Sequence, residues 1–306
     1  MQVSWSRIFP AVITPFKENL EIDFPALEAH LERLIAAGVG GITVTGSVGE
    51  NYALSAEEKR AVVKTAIDVT AGRVPMLAGI AELTTDLACR YAEDSAAMGA
   101  DGLMLLPALV YKADAIEAMR HYRAVADATD LPIMIYNNPP AYGVDLEPRH
   151  YAELADEEKF VGIKESAIDI TRLPETRRLT GDRYIMFAGI DDFVMEGVMQ
   201  GATAFVCGFV NAFPEECVAL FDLALEGRWD EAMAIYRWIQ PIFAFDHEVK
   251  FVQHLKLTVA MAGLGAERCR PPRYMLEGAE RARAEAIVRT ALETRPALPA
   301  KRAAAE

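Results

Sequence analysis

The sequence has few of the residues and motifs that mark several large classes of protein. Only four of its 306 residues are cysteine, and they show neither a CxxC pair nor another metal-ligand spacing. No apolar run reaches the roughly 18 to 20 residues of a membrane span, and the N-terminus lacks the basic start and long apolar core of a signal peptide. We therefore expect a cytoplasmic protein with reduced thiols and no membrane association. The cysteines are Cys89, Cys207, Cys217 and Cys269.

Positive charge is also scarce, with 31 lysine and arginine residues against 45 acidic ones and a formal net charge of -14. Nucleic acids demand clustered positive charge, so a nucleic-acid partner is not expected. No GxGxxG or GxxxxGK[ST] motif indicates a nucleotide, and the five histidines are too scattered to indicate a metal. We expect His30, His121 and His150 on helix surfaces. An anionic substrate would have to be captured by local donors, because the overall field repels it.

Apolar strand-like runs alternate with amphipathic helical runs along the chain, and hydrophobic residues make up 52% of it. Alternation of this kind predicts a parallel sheet, and eight repeats favour a closed (β/α)8 TIM barrel over an open doubly wound sheet. The predicted strands are Phe9–Thr14, Gly41–Thr45, Pro75–Ile80, Gly102–Leu106, Pro132–Tyr136, Val161–Lys164, Tyr184–Ala188 and Ala202–Cys207. The helices predicted between them are Phe24–Ala37, Ala56–Thr70, Thr85–Met98, Ala113–Ala128, Pro148–Leu154, Ile170–Leu179 and Asp192–Met199.

Further helical patterns follow the eighth strand, and the first of them is expected to close the barrel. The others form a C-terminal helical appendage, and such surfaces often serve subunit contacts. We therefore predict a barrel catalytic domain over residues 1–225 and a helical region over residues 226–306 packed on it. The predicted C-terminal helices are Pro214–Glu226, Trp229–Ala244, Val249–Ala262 and Leu276–Thr294.

Lys164 stands at the end of the apolar run Phe160-Val161-Gly162-Ile163, which is typical of a buried parallel strand. Burial penalises an ammonium group and should lower the pKa of this lysine. Its unprotonated amine would be the nucleophile of Schiff-base catalysis. The alternative is a side chain that reaches solvent or a salt bridge. A low pKa also requires that Glu50 and Glu165 lie outside direct contact with the amine.

Other strand ends carry groups beyond those needed for packing, and active sites of such barrels lie at these ends. Gly46–Asn51 follows the second strand, where its glycines could bring backbone N–H groups and the Ser47 hydroxyl to a ligand carboxylate. Tyr136 ends the fifth strand and could donate and accept a proton. The alternative for Gly46–Asn51 is an ordinary glycine-containing turn. The alternative for Tyr136 is an aromatic ring that merely covers the strand end.

The seventh strand ends in Ala188-Gly189-Ile190-Asp191-Asp192. Gly189 could allow close approach of a substrate to the backbone. Asp191 or Asp192 is most simply the N-cap of the next helix. This segment therefore predicts part of the wall of the site, at Gly189.

Three of these segments, in this order, resemble the dihydrodipicolinate synthase / N-acetylneuraminate lyase family of class I aldolases. The matching pieces are Gly46-Ser47-Val48-Gly49-Glu50, Tyr136-Asn137-x-Pro139 and Gly162-Ile163-Lys164-Glu165. The resemblance covers residues from about 7 to 295. It implies a homotetramer or dimer of barrels that forms a lysine imine with a 2-oxo acid such as pyruvate and uses no further cofactor.

The resemblance also implies roles for particular residues. Lys164 would form the imine, and Tyr136 would be the general acid and base. Ser47 would relay a proton and, with the backbone N–H of Val48, hold the substrate carboxylate. Gly189 and Val206 would line the pocket.

This chain departs from the family pattern at three positions. Val48 replaces a second hydroxyl residue, and Leu109 falls near the position of a tyrosine that passes a proton at the subunit interface of dihydrodipicolinate synthases. Ala141 takes the place of an arginine that binds the carboxylate of their aldehyde substrate, and Tyr142 follows it. A less cationic pocket suits a substrate with a single carboxylate.

We therefore expect a catabolic lyase that cleaves, condenses, dehydrates or deaminates a pyruvate-type or sugar-derived 2-oxo acid, with Ala141 and Tyr142 among its substrate contacts. Three alternatives remain open. They are a non-catalytic 2-oxo-acid-binding barrel, a dihydrodipicolinate synthase proper, and a metal-dependent aldolase of similar fold.

Overall fold

Eight parallel strands form the centre of the structure, a computed structural model that describes Met1 and residues 3–299. Each strand from β2 to β8 pairs with its neighbours in chain order, and β1 pairs with β8. A parallel bridge between Ala11 and Thr43 joins the β1 side to β2 and completes the ring. The predicted (β/α)8 barrel is therefore confirmed. The strands are β1 (Arg7–Pro10), β2 (Ile42–Val44), β3 (Met76–Ile80), β4 (Gly102–Leu105), β5 (Ile133–Asn137), β6 (Phe160–Glu165), β7 (Ile185–Ala188) and β8 (Ala204–Cys207).

The largest error in the predicted strands concerns the first one, which was placed at Phe9–Thr14. Beyond the Ala11 bridge the chain leaves the ladder, because the Ile13 N–H donates to the side chain of Asn211 instead of a neighbouring strand. The Thr14 hydroxyl then donates to the Gly49 carbonyl. The apolar run in the sequence thus continues beyond the Ala11–Thr43 bridge into the mouth of the barrel, where it is no longer part of a strand. The other strand ends lie within two residues of the predicted ones, and several coincide with them, as is usual for such boundaries.

Local sequence signals set the helix ends. Asp23 caps the first helix by accepting a hydrogen bond from the N–H of Ala26, and Ser55 with Glu58 forms a capping box on the second. The first three helices have the predicted bounds. No helix in the described part of the chain combines the length and apolar character needed to cross a membrane. The helices are α1 (Phe24–Ala37), α2 (Ala56–Thr70), α3 (Thr85–Met98), α4 (Ala115–Asp127), α5 (Pro139–Tyr142), α6 (Pro148–Glu153), α7 (Arg172–Thr180), α8 (Val194–Met199), α9 (Pro214–Leu225), α10 (Trp229–Phe243), α11 (Phe251–Met261) and α12 (Gly278–Glu293).

The single-turn helix α5 was missed in the sequence. Its proline at the first helical position and its cap, the Asn138 side chain that accepts from the N–H of Ala141, are ordinary start signals. Its apolar residues are too few to show a helical period. The turn matters because it carries Ala141 and Tyr142 back over the mouth of the barrel.

Two of the three histidines expected on helix surfaces are buried, so that expectation was wrong for them. His30 is 2% exposed and shares a hydrogen bond of 2.8 Å with the Asn211 side chain. His121 is also buried and pairs with the hydroxyl of Thr85. A lone histidine in a helical pattern does not reveal such a partner, because the partner lies far away in the sequence. Burial lowers the pKa of His30 to about 4.

The C-terminal helices contact the barrel through polar groups as well as apolar ones. Lys256 on α11 donates to the carbonyl of Thr14 and forms an ion pair with Glu50, and both ionic side chains are fully buried. Between α10 and α11, a 3-10 turn (Ala244–His247) reaches the mouth of the barrel. We propose the predicted division for the folded chain, with a barrel over residues 1–225 and a helical region from residue 226 packed on it.

Candidate active site

A cavity of about 800 Å³ opens at the carboxyl ends of the strands. Active sites of (β/α)8 barrels lie at this end, and a cavity of this size suits a small molecule. Every residue that the sequence placed in the site lies on its wall. They are Ser47, Val48, Tyr136, Ala141, Tyr142, Lys164, Gly189 and Val206.

Lys164 lies opposite Tyr136 in the β5–β6 ladder and is 5% exposed. Its Nζ lies 3.8 Å from the centre of the Tyr136 ring. Burial lowers the pKa of this amine to about 8, against the opposing pull of Asp246 and Asp191. At that pKa about one molecule in ten carries a neutral amine at pH 7, compared with roughly one in 2,500 for a free lysine. The alternative of a solvent-exposed or ion-paired lysine is not what the structure shows.

The two glutamates that could have paired with Lys164 are directed elsewhere. Glu50 forms its ion pair with Lys256. Glu165 accepts hydrogen bonds from the Asn137 amide and the Tyr151 hydroxyl. The geometry expected from a low lysine pKa is therefore present.

Tyr136 is held in place at both its hydroxyl and its ring. The hydroxyl accepts a hydrogen bond of 3.0 Å from the Asn138 side chain. The ring packs edge-on against Tyr142, with their centres 5.7 Å apart. Burial raises the pKa of Tyr136 to about 12, so the phenol is protonated at neutral pH and available as a proton donor.

The loop after β2 has a tightly constrained backbone. Thr45 and Glu50 at its two ends have positive φ angles of 57° and 55°, a conformation that costs energy for residues other than glycine. Gly79 on β3 makes room for it, because a Cβ there would lie 2.8 Å from the backbone nitrogen of Gly46. The loop presents the Ser47 hydroxyl to the cavity, where it shares a short hydrogen bond with the Tyr142 hydroxyl. Tyr142 thus places a second hydroxyl beside Ser47.

Gly189 has a packing role that the sequence did not suggest. A Cβ at this position would lie 2.2 Å from the Ser166 hydroxyl and 2.6 Å from the Glu165 carbonyl. The missing side chain therefore lets β6 and β7 approach each other, although Gly189 also lines the cavity. Val206 on β8 forms an apolar part of the wall and is 1% exposed.

Two acids of the site were missed in the sequence. Asp191 or Asp192 was expected from the sequence to cap the next helix. The Asp191 carboxylate instead accepts hydrogen bonds from the backbone N–H groups of Gly208 and Phe209 after β8. Its own N–H donates to Asp246, which lies in the 3-10 turn of the C-terminal region and lines the cavity. Burial raises the pKa of Asp246 to about 8. No pattern marked Asp246, because its closeness to Lys164 arises only when the C-terminal helices fold onto the barrel.

A cation of the site was also missed. Arg273 lines the cavity from the segment between α11 and α12. Its sequence context, Cys269-Arg270-Pro271-Pro272-Arg273, reads as an ordinary proline-containing connection. Only the folded structure brings it to the cavity that Ala141 and Tyr142 also line.

Within the described residues, one group of side chains has the spacing of a metal site. It consists of Glu248, His254 and Glu280. Glu248 already forms an ion pair with Arg283, and Glu280 forms one with Lys250. These cations compensate the two carboxylates, so the group has little charge left to attract a metal ion.

Comparisons with known proteins agree with this geometry. The sequence profile of the dihydrodipicolinate synthetase family matches residues 4–291. The chain is 31% identical over 239 residues to a 4-hydroxy-tetrahydrodipicolinate synthase of Methanosphaerula palustris, covering 77% of this chain and 82% of that protein. It is 29% identical over 265 residues to a protein of Rhizobium meliloti named an uncharacterized DapA-like lyase, covering 87% and 88% of the two chains.

Among solved structures, the fold is similar to that of a prophage protein from E. coli K12. That protein belongs to the dihydrodipicolinic acid synthase family and was solved in complex with pyruvate. The TM-score is 0.88 at 26% identity, over 95% of this chain and 99% of the other. The barrel and its C-terminal helices are thus shared across nearly the whole length.

Proposed function

Because this chain belongs to the dihydrodipicolinate synthetase family and is accordingly a lyase, we propose that it acts by forming a Schiff base between Lys164 and a 2-oxo acid. The observation that carries the proposal is the Lys164 amine, which is buried at the strand ends of the cavity beside a protonated phenol. A desolvated amine with a pKa of about 8 is a nucleophile near neutral pH. We propose no metal or organic cofactor beyond this imine.

The steps of imine formation assign a role to each side chain near the amine. The lone pair of Lys164 attacks the carbonyl carbon, and the resulting carbinolamine loses water to give the imine. Tyr136, whose ring lies against the amine, would donate the proton that the departing hydroxide needs and recover one afterwards. Ser47 and Tyr142, joined by their hydrogen bond, form a path for that proton.

The substrate carboxylate needs donors, since the net charge of the protein is -14. The loop after β2 supplies the Ser47 hydroxyl and the backbone N–H of Val48 at the cavity wall. Val206 and Gly189 complete the wall around the carbonyl carbon with apolar surface, which keeps water from the amine.

The second half of the reaction uses the imine as an electron sink. Withdrawal of electrons towards the imine nitrogen permits cleavage of a carbon–carbon bond or loss of a leaving group next to the former carbonyl. We propose a sugar-derived 2-oxo acid as the substrate and a catabolic reaction. Ala141 and Leu109 support this proposal. Ala141 takes the place of the arginine that the family resemblance assigns to the carboxylate of the aldehyde substrate, and Leu109 falls near the position of a tyrosine that passes a proton at the subunit interface.

We also propose a homo-oligomer, either a tetramer or a dimer. The loops after β3 and β4 expose large apolar side chains near the mouth of the barrel, as do the segments after β6 and α10. Scattered single apolar residues need no explanation, but several around one opening favour burial against another subunit. They are Leu83, Val110, Tyr111, Ile168 and Val249.

Borohydride trapping tests the proposal directly. Incubation with pyruvate and sodium borohydride should add mass irreversibly to a peptide that contains Lys164. The variant Lys164→Ala should give no adduct, whereas Lys64→Ala, which removes an exposed lysine on α2, should react like the wild type. An adduct that persists in Lys164→Ala, or no adduct in the wild type, would overturn the proposal.

A second candidate function is that of a 4-hydroxy-tetrahydrodipicolinate synthase, which is the name of several relatives. A panel of 2-oxo sugar acids, compared with pyruvate plus the aldehyde substrate of that synthase, separates the two functions. Release of pyruvate or of a dehydrated product from a sugar acid supports our proposal. Condensation of pyruvate with the aldehyde alone would favour the synthase, and an imine without any turnover would favour a binding protein.

A further inference from the structure

Arg273 is held at the cavity by a rigid connection. The preceding Arg270 donates its backbone N–H to Glu50 and its guanidinium group to Glu58. The N–H of Arg273 in turn donates to the carbonyl of Arg270 at 3.0 Å. The segment is therefore fixed against the same loop that carries Ser47.

The Arg273 side chain has no partner among the described residues, where it makes neither an ion pair nor a hydrogen bond. The acids that share its cavity are already engaged. Asp246 accepts from the backbone of Asp191, and Glu248 pairs with Arg283. The Arg273 guanidinium group is half-buried and has five N–H donors without an acceptor from the described residues. Such a group is suited to bind an anionic ligand.

The position of Arg273 relative to the proposed carbonyl site follows from its neighbours. Its positive charge acts on the phenols of Tyr52 and Tyr142, where it opposes the effect of burial, which raises the pKa of both. Tyr142 in turn contacts Ser47. Arg273 and Tyr142 thus line the same cavity and interact electrostatically, and Tyr142 contacts the Ser47 hydroxyl that we assign to the first carboxylate.

We propose that Arg273 binds a second carboxylate of the substrate, so that the preferred substrates are 2-oxo acids with an additional carboxylate at the far end. This inference rests on the proposed function and makes its substrate class more specific. It replaces the expectation of a single carboxylate, which was based on the absence of arginine at position 141. The folded chain supplies a cation to the same cavity from its C-terminal segment.

A carboxylate fits this site better than a phosphate. One guanidinium group can bind one carboxylate through two parallel hydrogen bonds. The cavity wall also carries the Glu248 carboxylate, and its negative charge opposes a doubly charged phosphate more strongly than a singly charged carboxylate.

A matched pair of 2-oxo acids tests the inference. 2-Oxoglutarate and 2-oxopentanoate have the same chain length and differ only in the second carboxylate. For the wild type we expect half-maximal borohydride trapping at a lower concentration of the diacid. Arg273→Gln should raise that concentration about 10- to 100-fold for the diacid, because a hydrogen bond to a charged group is lost. Trapping of pyruvate and 2-oxopentanoate should change less than about twofold. The diacids 2-oxoadipate and 2-oxopimelate would extend the series and measure the reach to Arg273.

The matched control is Arg289→Gln, which removes an exposed arginine on α12 and should leave all the curves unchanged. An equal effect of Arg273→Gln on monoacids and diacids would overturn the inference, because Arg273 would then bind the carboxylate common to both. No effect on either class, or no diacid preference in the wild type, would also overturn it. Failure of the wild type to form any adduct would instead count against the proposed function, and calorimetric binding of the same acids to the wild type and to Arg273→Gln would still test the role of Arg273.

Discussion

At the scale of single residues, the chemistry depends on the electrostatic coupling between the protonation states of two buried groups. Lys164 and Asp246 each have a pKa of about 8. The pKa of the amine is lowered from its ordinary value of 10.5, and the pKa of the acid is raised from its ordinary value of 3.8. Burial is the main cause for both, since it penalises either charged form. Each also favours the charged form of the other, so Asp246 keeps the amine protonated to a higher pH than burial alone would.

This coupling predicts the effect of Asp246→Asn on the pH dependence of imine formation. Loss of the negative partner removes an interaction that raises the pKa of Lys164, so that pKa should fall. The rate of pyruvate trapping, measured against pH, should then rise at a lower pH than in the wild type. Asp169→Asn removes an exposed carboxylate from the segment after β6 and changes the net charge equally, yet it should leave the profile unmoved. A profile that stays in place or moves to higher pH in Asp246→Asn would contradict the coupling.

At the scale of elements, β5, β6 and α6 are held together by Glu165. Its carboxylate accepts hydrogen bonds from the Asn137 side chain, the Tyr151 hydroxyl and the N–H of Ala167. Burial still raises its pKa to about 7 from 4.5. The strand end that presents Lys164 is therefore stabilised by a group that titrates near neutral pH.

The sign of the resulting pH dependence follows from linkage. Glu165 binds its proton more tightly in the folded state, so its contribution to stability is present below about pH 4.5 and is lost as the pH rises towards 7. The shift corresponds to about 3 kcal/mol. Glu165→Gln removes this contribution, and the Tyr151 hydroxyl can reverse to accept from the new amide. The free energy of unfolding of this variant, relative to the wild type, should therefore rise by up to about 3 kcal/mol between about pH 5 and about pH 8.

Urea unfolding at the two pH values would measure this difference. Glu153→Gln, an exposed change on α6, should follow the wild type at both. A parallel pH dependence in the wild type and Glu165→Gln would show that Glu165 does not titrate in this range.

The elements also show why some of the site could be predicted from sequence and some could not. Lys164, Tyr136 and Ser47 lie at the ends of apolar runs, and an eightfold repeat brings such ends to one rim. Asp246 and Arg273 lie between helices of the C-terminal region, where no period of the sequence relates them to the barrel. Asp191 was predicted to cap the helix that follows it in the sequence. Its carboxylate instead accepts hydrogen bonds from the backbone after a different strand, β8.

At the scale of the whole molecule, the C-terminal region completes the site as well as covering the barrel. Two of its residues, Asp246 and Arg273, line the cavity. Its position depends on Lys256, which reaches the loop after β2 through Glu50 and also donates to the carbonyls of Thr14 and Arg268. Substitutions in this region should thus affect the chemistry without touching a barrel strand.

The ion pair between Lys256 and Glu50 provides the last prediction. Both side chains have no exposed surface, so Lys256→Met would leave a buried carboxylate without its cation and should lower the free energy of unfolding by about 3 to 5 kcal/mol. The double variant Glu50→Gln/Lys256→Met should lose clearly less, because the new amide can accept from the N–H of Arg270 and donate to the freed carbonyl of Thr14. Urea unfolding would measure both, with Lys64→Met as the control, since the exposed Lys64–Asp68 pair should contribute less than about 1 kcal/mol. Additive losses in the double variant would show that the two groups are not coupled, and the C-terminal region would then have to be held in place by its apolar contacts alone.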